Sequence, residues 1–304
     1  MPLFRRCDGD LIRDEAPSRV ILPYLMWGRN ESIILHESIC DITRTRGWLR
    51  AFNGAGPEQA ATLFHLFLWS CGRTAHLRPK MNRFVAGGRL YQRRGVWLSF
   101  AAKRALRLDA PLVPVKLDFP DVNESFAGFV GRLTRYIEDA RGSEDRLVDR
   151  ELALCTRFPH FVRRILAGVY RATDRMNVLP RRFVESDPLF ASVFVANLGS
   201  LGLDRTWHHL YEYGTCSLFA VLGKQREDLI ANGGGEPATR DVLTIRWSFD
   251  ERITDAYYCA SSLDMVRRIV ENPAQHAGEP EQAARGVAAP IDGRFHASNP
   301  ISVQ

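Results

Sequence analysis

The sequence predicts an α/β protein, a two-layer sandwich in which helices cover a mixed β-sheet. Two observations carry this: short β-branched or alternating runs recur along the chain, and stretches with helical apolar spacing are interleaved with them. The composition agrees, since 45% of the 304 residues are hydrophobic and 25% charged. A chain of that length can build a core without disulfide or metal staples.

The elements follow in order. Ser32–Thr43 is β-branched and alternating, and reads as a strand. From Pro57 to about Arg73 the apolar residues Ala61, Leu63, Phe64, Leu66 and Phe67 fall on helical spacing, with Pro57 suited to a first turn. Phe84–Arg93 and Gly95–Lys103 read as a hairpin, and Pro111–Phe119 as a further strand. Helices are predicted over Glu124–Ala140, Ser143–Leu154 and Pro159–Asp174. Phe190–Asn197, Cys216–Lys224 and Asp241–Phe249 read as strands. A last helix runs from Tyr257 to Glu271, its buried stripe formed by Leu263, Val266, Ile269 and Val270. From Asn272 onward the chain is poor in large apolar residues and rich in Ala, Gly, Pro and Glu. Such a segment buries too little to offset its ordering entropy, so residues 274–304 are expected to be a disordered tail.

Charge and cysteine usage narrow the classes. The formal net charge of +6 can attract nucleic acid, anionic lipid or a phosphorylated cofactor, but no nucleic-acid motif accompanies it. The six cysteines are scattered without a C-x-x-C pair, which speaks against a zinc site or a secreted disulfide framework. The start MPLFRRCDGD lacks the apolar core of a signal peptide and no run is long enough to span a bilayer, so a reducing cytoplasm is the expected compartment.

Three segments taken together carry a resemblance. Pro79–Phe100, Ser192–Lys224 (with A-N-L-G at 196–199 and a closing Gly-Lys) and Thr244–Pro273 (with D-E-R-I-T-D-A at 250–256) resemble, in order and spacing, the catalytic domain of 2-oxoacid dehydrogenase acyltransferases, the fold shared with chloramphenicol acetyltransferase. The likeness covers Leu22 to Pro273 and leaves residues 1–21 as an N-terminal extension. It implies a homotrimer with the active site between subunits, entered by coenzyme A or acyl-coenzyme A from one side and by an acceptor from the other. With no segment here for a lipoyl domain, a stand-alone relative is expected.

The resemblance also assigns residues. The family's His-x-x-x-Asp-Gly motif aligns with Glu251, Asp255 and Ala256, so the histidine base is replaced by Glu251. Asp255 keeps the family's structural aspartate, which locks the loop through an arginine. Taking a proton from a thiol of pKa ~8.5 costs roughly 3 kcal/mol more with a carboxylate at ~4.3 than with an imidazole at ~6.5, on the order of a hundredfold in rate. Burial or repulsion from Asp250 and Asp255 would offset this penalty, whereas Arg252 and Arg246 would add to it.

The family's oxyanion-stabilising Ser or Thr is replaced by Ala196. Losing such a donor costs ~10²–10³ in rate, and Asn197, Ser200 or backbone amides are the substitutes at hand. His208 and His209, in the loop after that strand, are alternative bases or hold the loop by hydrogen bonds to Tyr211 or Glu212. Arg83, Arg93 and Lys103 are either partners for coenzyme A phosphates or strand-surface charge. Arg157–Arg182 combines many arginines with Phe158, Phe161, Val162, Ile165, Leu166 and Val169, which fits a helix packed on its sheet or one lying on a membrane or acyl chain. Three functions stay open: an acyltransferase acting on a thioester, a catalytically inactive trimeric scaffold or ligand-binding protein, and a different condensation reaction.

Overall fold

A computed structural model describes residues 6–103, 112–142, 156–231 and 235–289. In chain order the strands are β1 Gly9–Leu11, β2 Ile33–Asp41, β3 Arg83–Ala86, β4 Arg89–Arg93, β5 Trp97–Lys103, β6 Leu112–Asp118, β7 Val193–Asn197, β8 Leu218–Leu222, β9 Arg226–Ala231 and β10 Pro237–Asp250. The helices are α1 Pro17–Leu25, α2 Thr43–Gly54, α3 Leu63–Leu77, α4 Phe126–Gly142, α5 His160–Arg175, α6 Arg181–Ser186, α7 Ala256–Glu271, α8 Pro273–Ala277 and α9 Pro280–Ala284.

The main sheet is mixed, with strand order β2-β10-β8-β7-β5-β6 and β9 paired to the first half of β10. The parallel pairs are β5–β7 and β7–β8. Its inner face (Val195, Ala220, Ile245 and Trp247 among others) packs against Leu66, Phe67, Phe129, Leu263 and Val266 from α3, α4 and α7, giving the principal core. A smaller cluster of Phe194, Leu210, Cys216, Phe219 and Val221 lies on the other face, beneath the loop that follows β7. The predicted α/β sandwich with a helix-covered mixed sheet is the architecture observed.

Three expectations change in detail. The predicted hairpin is instead β3–β4, where Ala86 opposes Arg89 and Gly87 and Gly88, both at positive φ, form the two-residue turn. β5 then leaves for the main sheet and pairs with β6 and β7. The helix expected from Pro57 begins at Leu63, because Thr62 and His65 form a reciprocal capping box that fixes the start there. The tail expected to be disordered folds over its first part: Ala277 and Ala283 are buried, Trp48 donates to the Gly278 carbonyl (3.0 Å) and Arg73 to that of His276 (2.6 Å). Alanines fit closely against α2, a contact that a count of large apolar residues misses. The helix expected over Ser143–Leu154 and the remainder of the tail lie outside the described residues. The N-terminal extension is tied down by pairing of β1 with β4 and by α1.

Candidate functional site

The site is organised by β10, which is buried on both faces from Val242 to Asp250. Alternation sends Leu243, Ile245, Trp247 and Phe249 into the core and Thr244, Arg246, Ser248 and Asp250 to the opposite face. Each member of this polar row has a partner, although Arg246 Nε has none among the described residues. Thr244 accepts from Arg226 (3.1 Å), Arg246 donates to the Asp204 carbonyl and pairs with Glu37, and Ser248 donates to the His208 carbonyl (2.5 Å). The row thereby fastens the loop from Asp204 to His208 onto the sheet.

Asp250 ends the row, fully buried. It accepts from Arg252 Nε (2.8 Å) and Nη2 (2.7 Å) and from Ser32 Oγ (3.1 Å). Arg252 Nη1 continues to the carbonyls of Met26 and Trp27. Glu251 follows, half-buried, with its backbone held on both sides: its N–H donates to Ser32 O (2.9 Å) and its carbonyl accepts from Arg19. Its carboxylate has no hydrogen-bond or ion-pair partner among the described residues.

Asp255 differs from the expectation. Its carboxylate accepts from the Tyr258 amide (2.8 Å) and caps α7, and it pairs with no arginine among the described residues. The loop is locked instead by Arg19, which also donates to the Thr254 carbonyl (3.1 Å), and by the Asp250–Arg252 pair. Arg19 and Ser32 carried no recognisable sequence signal. The D-x-R spacing of Asp250 and Arg252 was the only one, because it can close a buried pair where a strand turns into a loop.

At the end of β7, Ala196 packs with the outer-face cluster. Asn197 begins on the opposite face by alternation, and its own atoms close the next turn: Ser200 Oγ donates to its carbonyl (2.7 Å) and the Ser200 amide to its Oδ1 (3.4 Å). Asn197 and Ser200 thus build the turn, which occupies the groups expected to act as substitute donors beside Ala196. The glycines of the motif have a packing reason. A Cβ on Gly199 would sit 2.0 Å from the Gly223 carbonyl, so both A-N-L-G and Gly-Lys record one close backbone approach.

Register separates Ala196 from Glu251. Ala196 opposes Val221, which opposes Arg246, so Glu251 lies two strands across and five residues further along β10. That is about 19 Å within one chain at ~3.3 Å per residue and ~4.8 Å per strand. His208 lies between them. Its ring stacks on Phe219 (3.9 Å, 2° between planes) and on His209 (4.6 Å), and its Nδ1 bonds the His209 carbonyl (2.7 Å). Burial is the main influence lowering the His208 pKa. His209 is exposed, its ring edge-on to Tyr211. The pair holds the loop by ring packing, not by bonds to Tyr211 or Glu212; Glu212 is bound to the amides of Arg29 and Asn30.

Of the residues considered for coenzyme A phosphates, Arg83 pairs with Glu15 (2.7 Å) and Arg93 is buried against Thr215, while the Lys103 side chain lies outside the described residues. A cleft of about 390 Å³ opens beside the motif loop, lined by Tyr24, Trp27, Arg29, Gly88, Arg175 and Arg252 among others. Among the described residues no group of three or more His, Cys, Asp and Glu could hold a metal ion.

No protein-family model and no curated protein matches the chain. Solved structures do. A probable dihydrolipoamide acetyltransferase from Listeria monocytogenes aligns over 86% of this chain and 95% of its own at 15% identity, with a TM-score of 0.53. The dihydrolipoamide acetyltransferase of Azotobacter vinelandii, for which a serine, a histidine and an asparagine are described in the catalytic mechanism, aligns over 86% and 93% at 15% identity and 0.55. A chloramphenicol acetyltransferase aligns over 87% and 98% at 14% identity and 0.50. At this identity the likeness establishes architecture, and the chain has the chloramphenicol acetyltransferase-like fold found in the catalytic domains of 2-oxoacid dehydrogenase acyltransferases.

Proposed function

We propose that the protein transfers an acyl group from a thioester, by chemical class an acyl-coenzyme A, to a thiol or hydroxyl acceptor, with Glu251 as the base. The observation that carries this reading is the free carboxylate of Glu251 on a backbone held from both sides, at the end of the strand that organises the site. In the Azotobacter enzyme the histidine and asparagine are four residues apart, as Glu251 and Asp255 are here. Glu251 takes the acceptor's proton, the acceptor's sulfur or oxygen adds to the thioester carbonyl, and collapse breaks the carbon–sulfur bond. The departing thiolate recovers the proton from Glu251.

The separation of Glu251 from Ala196 supports a site completed across a subunit boundary, hence a homotrimer. A thiol-release assay with acyl-coenzyme A tests the reading: turnover by the wild type and its loss in Glu251→Gln are expected, and unchanged turnover in that variant would remove Glu251 from the reaction. Light scattering tests the assembly, for which a monomer is the contrary result.

A second reading, an inactive trimeric scaffold or ligand-binding protein, is favoured by Ala196 and by the use of Asn197 and Ser200 within their own turn. Binding of acyl-coenzyme A without turnover is its signature.

A further inference from the structure

Helix α5 has no buried residue along its 16 positions. At 100° per residue, Phe161, Ile165, Leu166, Val169 and Met176 fall on one arc. Phe161 is 65% exposed, Ile165 60% and Val169 55%. The opposite side attaches the helix to the body. There Tyr170 packs on Tyr213 (5.2 Å between ring centroids) and Asp174 receives Arg6 (2.8 Å). The apolar arc therefore faces away from the protein. Isolated exposed apolar residues are ordinary on a soluble surface, whereas a continuous stripe marks contact with something else.

The charge around the stripe indicates what. Residues 157–182 hold seven arginines against the single Asp174, a formal +6 equal to the net charge of the whole chain. Arg164 and Arg175 border one edge of the stripe, placed so that their stems follow the apolar surface while the guanidinium groups reach outward. Asp174 is already taken by Arg6. Two copies meeting through this face would bring like charges together. A nucleic-acid backbone would use the arginines and leave the aliphatic stripe in water.

We propose that α5 docks the protein on an anionic lipid surface. The stripe enters the boundary between headgroups and acyl chains, and the flanking arginines meet lipid phosphates. No described helix is long and apolar enough to cross a membrane, so the contact is one of lying on the surface. The inference does not depend on the acyl-transfer reading.

Flotation of the full chain with vesicles tests it. The protein is expected to float with vesicles of phosphatidylcholine mixed with phosphatidylglycerol, to stay behind with phosphatidylcholine alone, and to be released by high salt. Arg164→Gln or Arg175→Gln should each weaken binding about fivefold. Phe161→Glu with Ile165→Glu should abolish it while leaving the circular dichroism melt and the oligomeric state unchanged. Three results would overturn the proposal: no flotation with the anionic vesicles, flotation of the double Glu variant equal to wild type, or a change of oligomeric state in that variant, which would assign the stripe to contact between copies.

Discussion

Replacing Asp250 with asparagine removes the charge on which the motif loop rests. The native carboxylate is fully buried and binds two nitrogens of the Arg252 side chain, at 2.8 and 2.7 Å, together with the Arg252 amide (3.1 Å) and Ser32 Oγ (3.1 Å). Asparagine offers one acceptor oxygen and sets an NH₂ against a guanidinium donor. Arg252 would stay buried without a countercharge. Arg29, whose pKa burial already pushes down, would lose the foremost charge that favours its ionised form.

Breaking a buried pair from one side costs about 3–5 kcal/mol. At roughly 2–4 °C per kcal/mol for a domain of this class, the melting temperature should fall by roughly 10 °C. Thermal and urea unfolding followed by circular dichroism measures both quantities. Adding Arg252→Met to Asp250→Asn removes the stranded charge and should recover about half of the loss. A loss below about 1 kcal/mol for Asp250→Asn, the range of a surface pair, would refute the reasoning.

Two further outcomes follow from the same geometry. Gly199→Ala drives a Cβ to 2.0 Å from the Gly223 carbonyl and must part the ends of β7 and β8, so a loss of about 3 kcal/mol is expected in urea unfolding, and wild-type stability would contradict the close approach. Burial pushes the His65 pKa down to about 4, where its neutral Nδ1 accepts from the Thr62 amide. Because the unfolded chain binds that proton first, the contribution is complete above about pH 6.5 and lost as pH falls toward 4, a change of about 2–3 kcal/mol. His65→Gln should flatten this difference between urea midpoints at neutral and mildly acidic pH, and an unchanged pH dependence would exclude His65 as its source.

The parts of the fold legible in the sequence were those whose pattern is long relative to their ambiguity. β10 alternates through Leu243, Ile245, Trp247 and Phe249, and α7 repeats Leu263, Val266, Ile269 and Val270; all eight are buried as their periods require. The motif glycines were legible as a pattern, while their cause, a contact between Gly199 and Gly223, joins positions 24 apart and appears only in the fold. At the site, the position of Glu251 at the end of a long alternating strand could be read directly. The lock around it could not, because Arg19 and Ser32 reach the loop from distant segments, Arg19 on backbone carbonyls and Ser32 on both the Glu251 amide and the Asp250 carboxylate. The part given to Asp255 went to Asp250, since a strand end two residues from Arg252 buries a carboxylate more fully than the exposed start of a helix.

The proposed role of Glu251 as base is tested most directly by thiol release from acyl-coenzyme A in wild type, Glu251→Gln and Glu251→His measured side by side. Glutamine should abolish turnover. Histidine should exceed the wild type by up to about a hundredfold, the rate equivalent of the roughly 3 kcal/mol between the two bases. Equal turnover in all three proteins would contradict a base at this position.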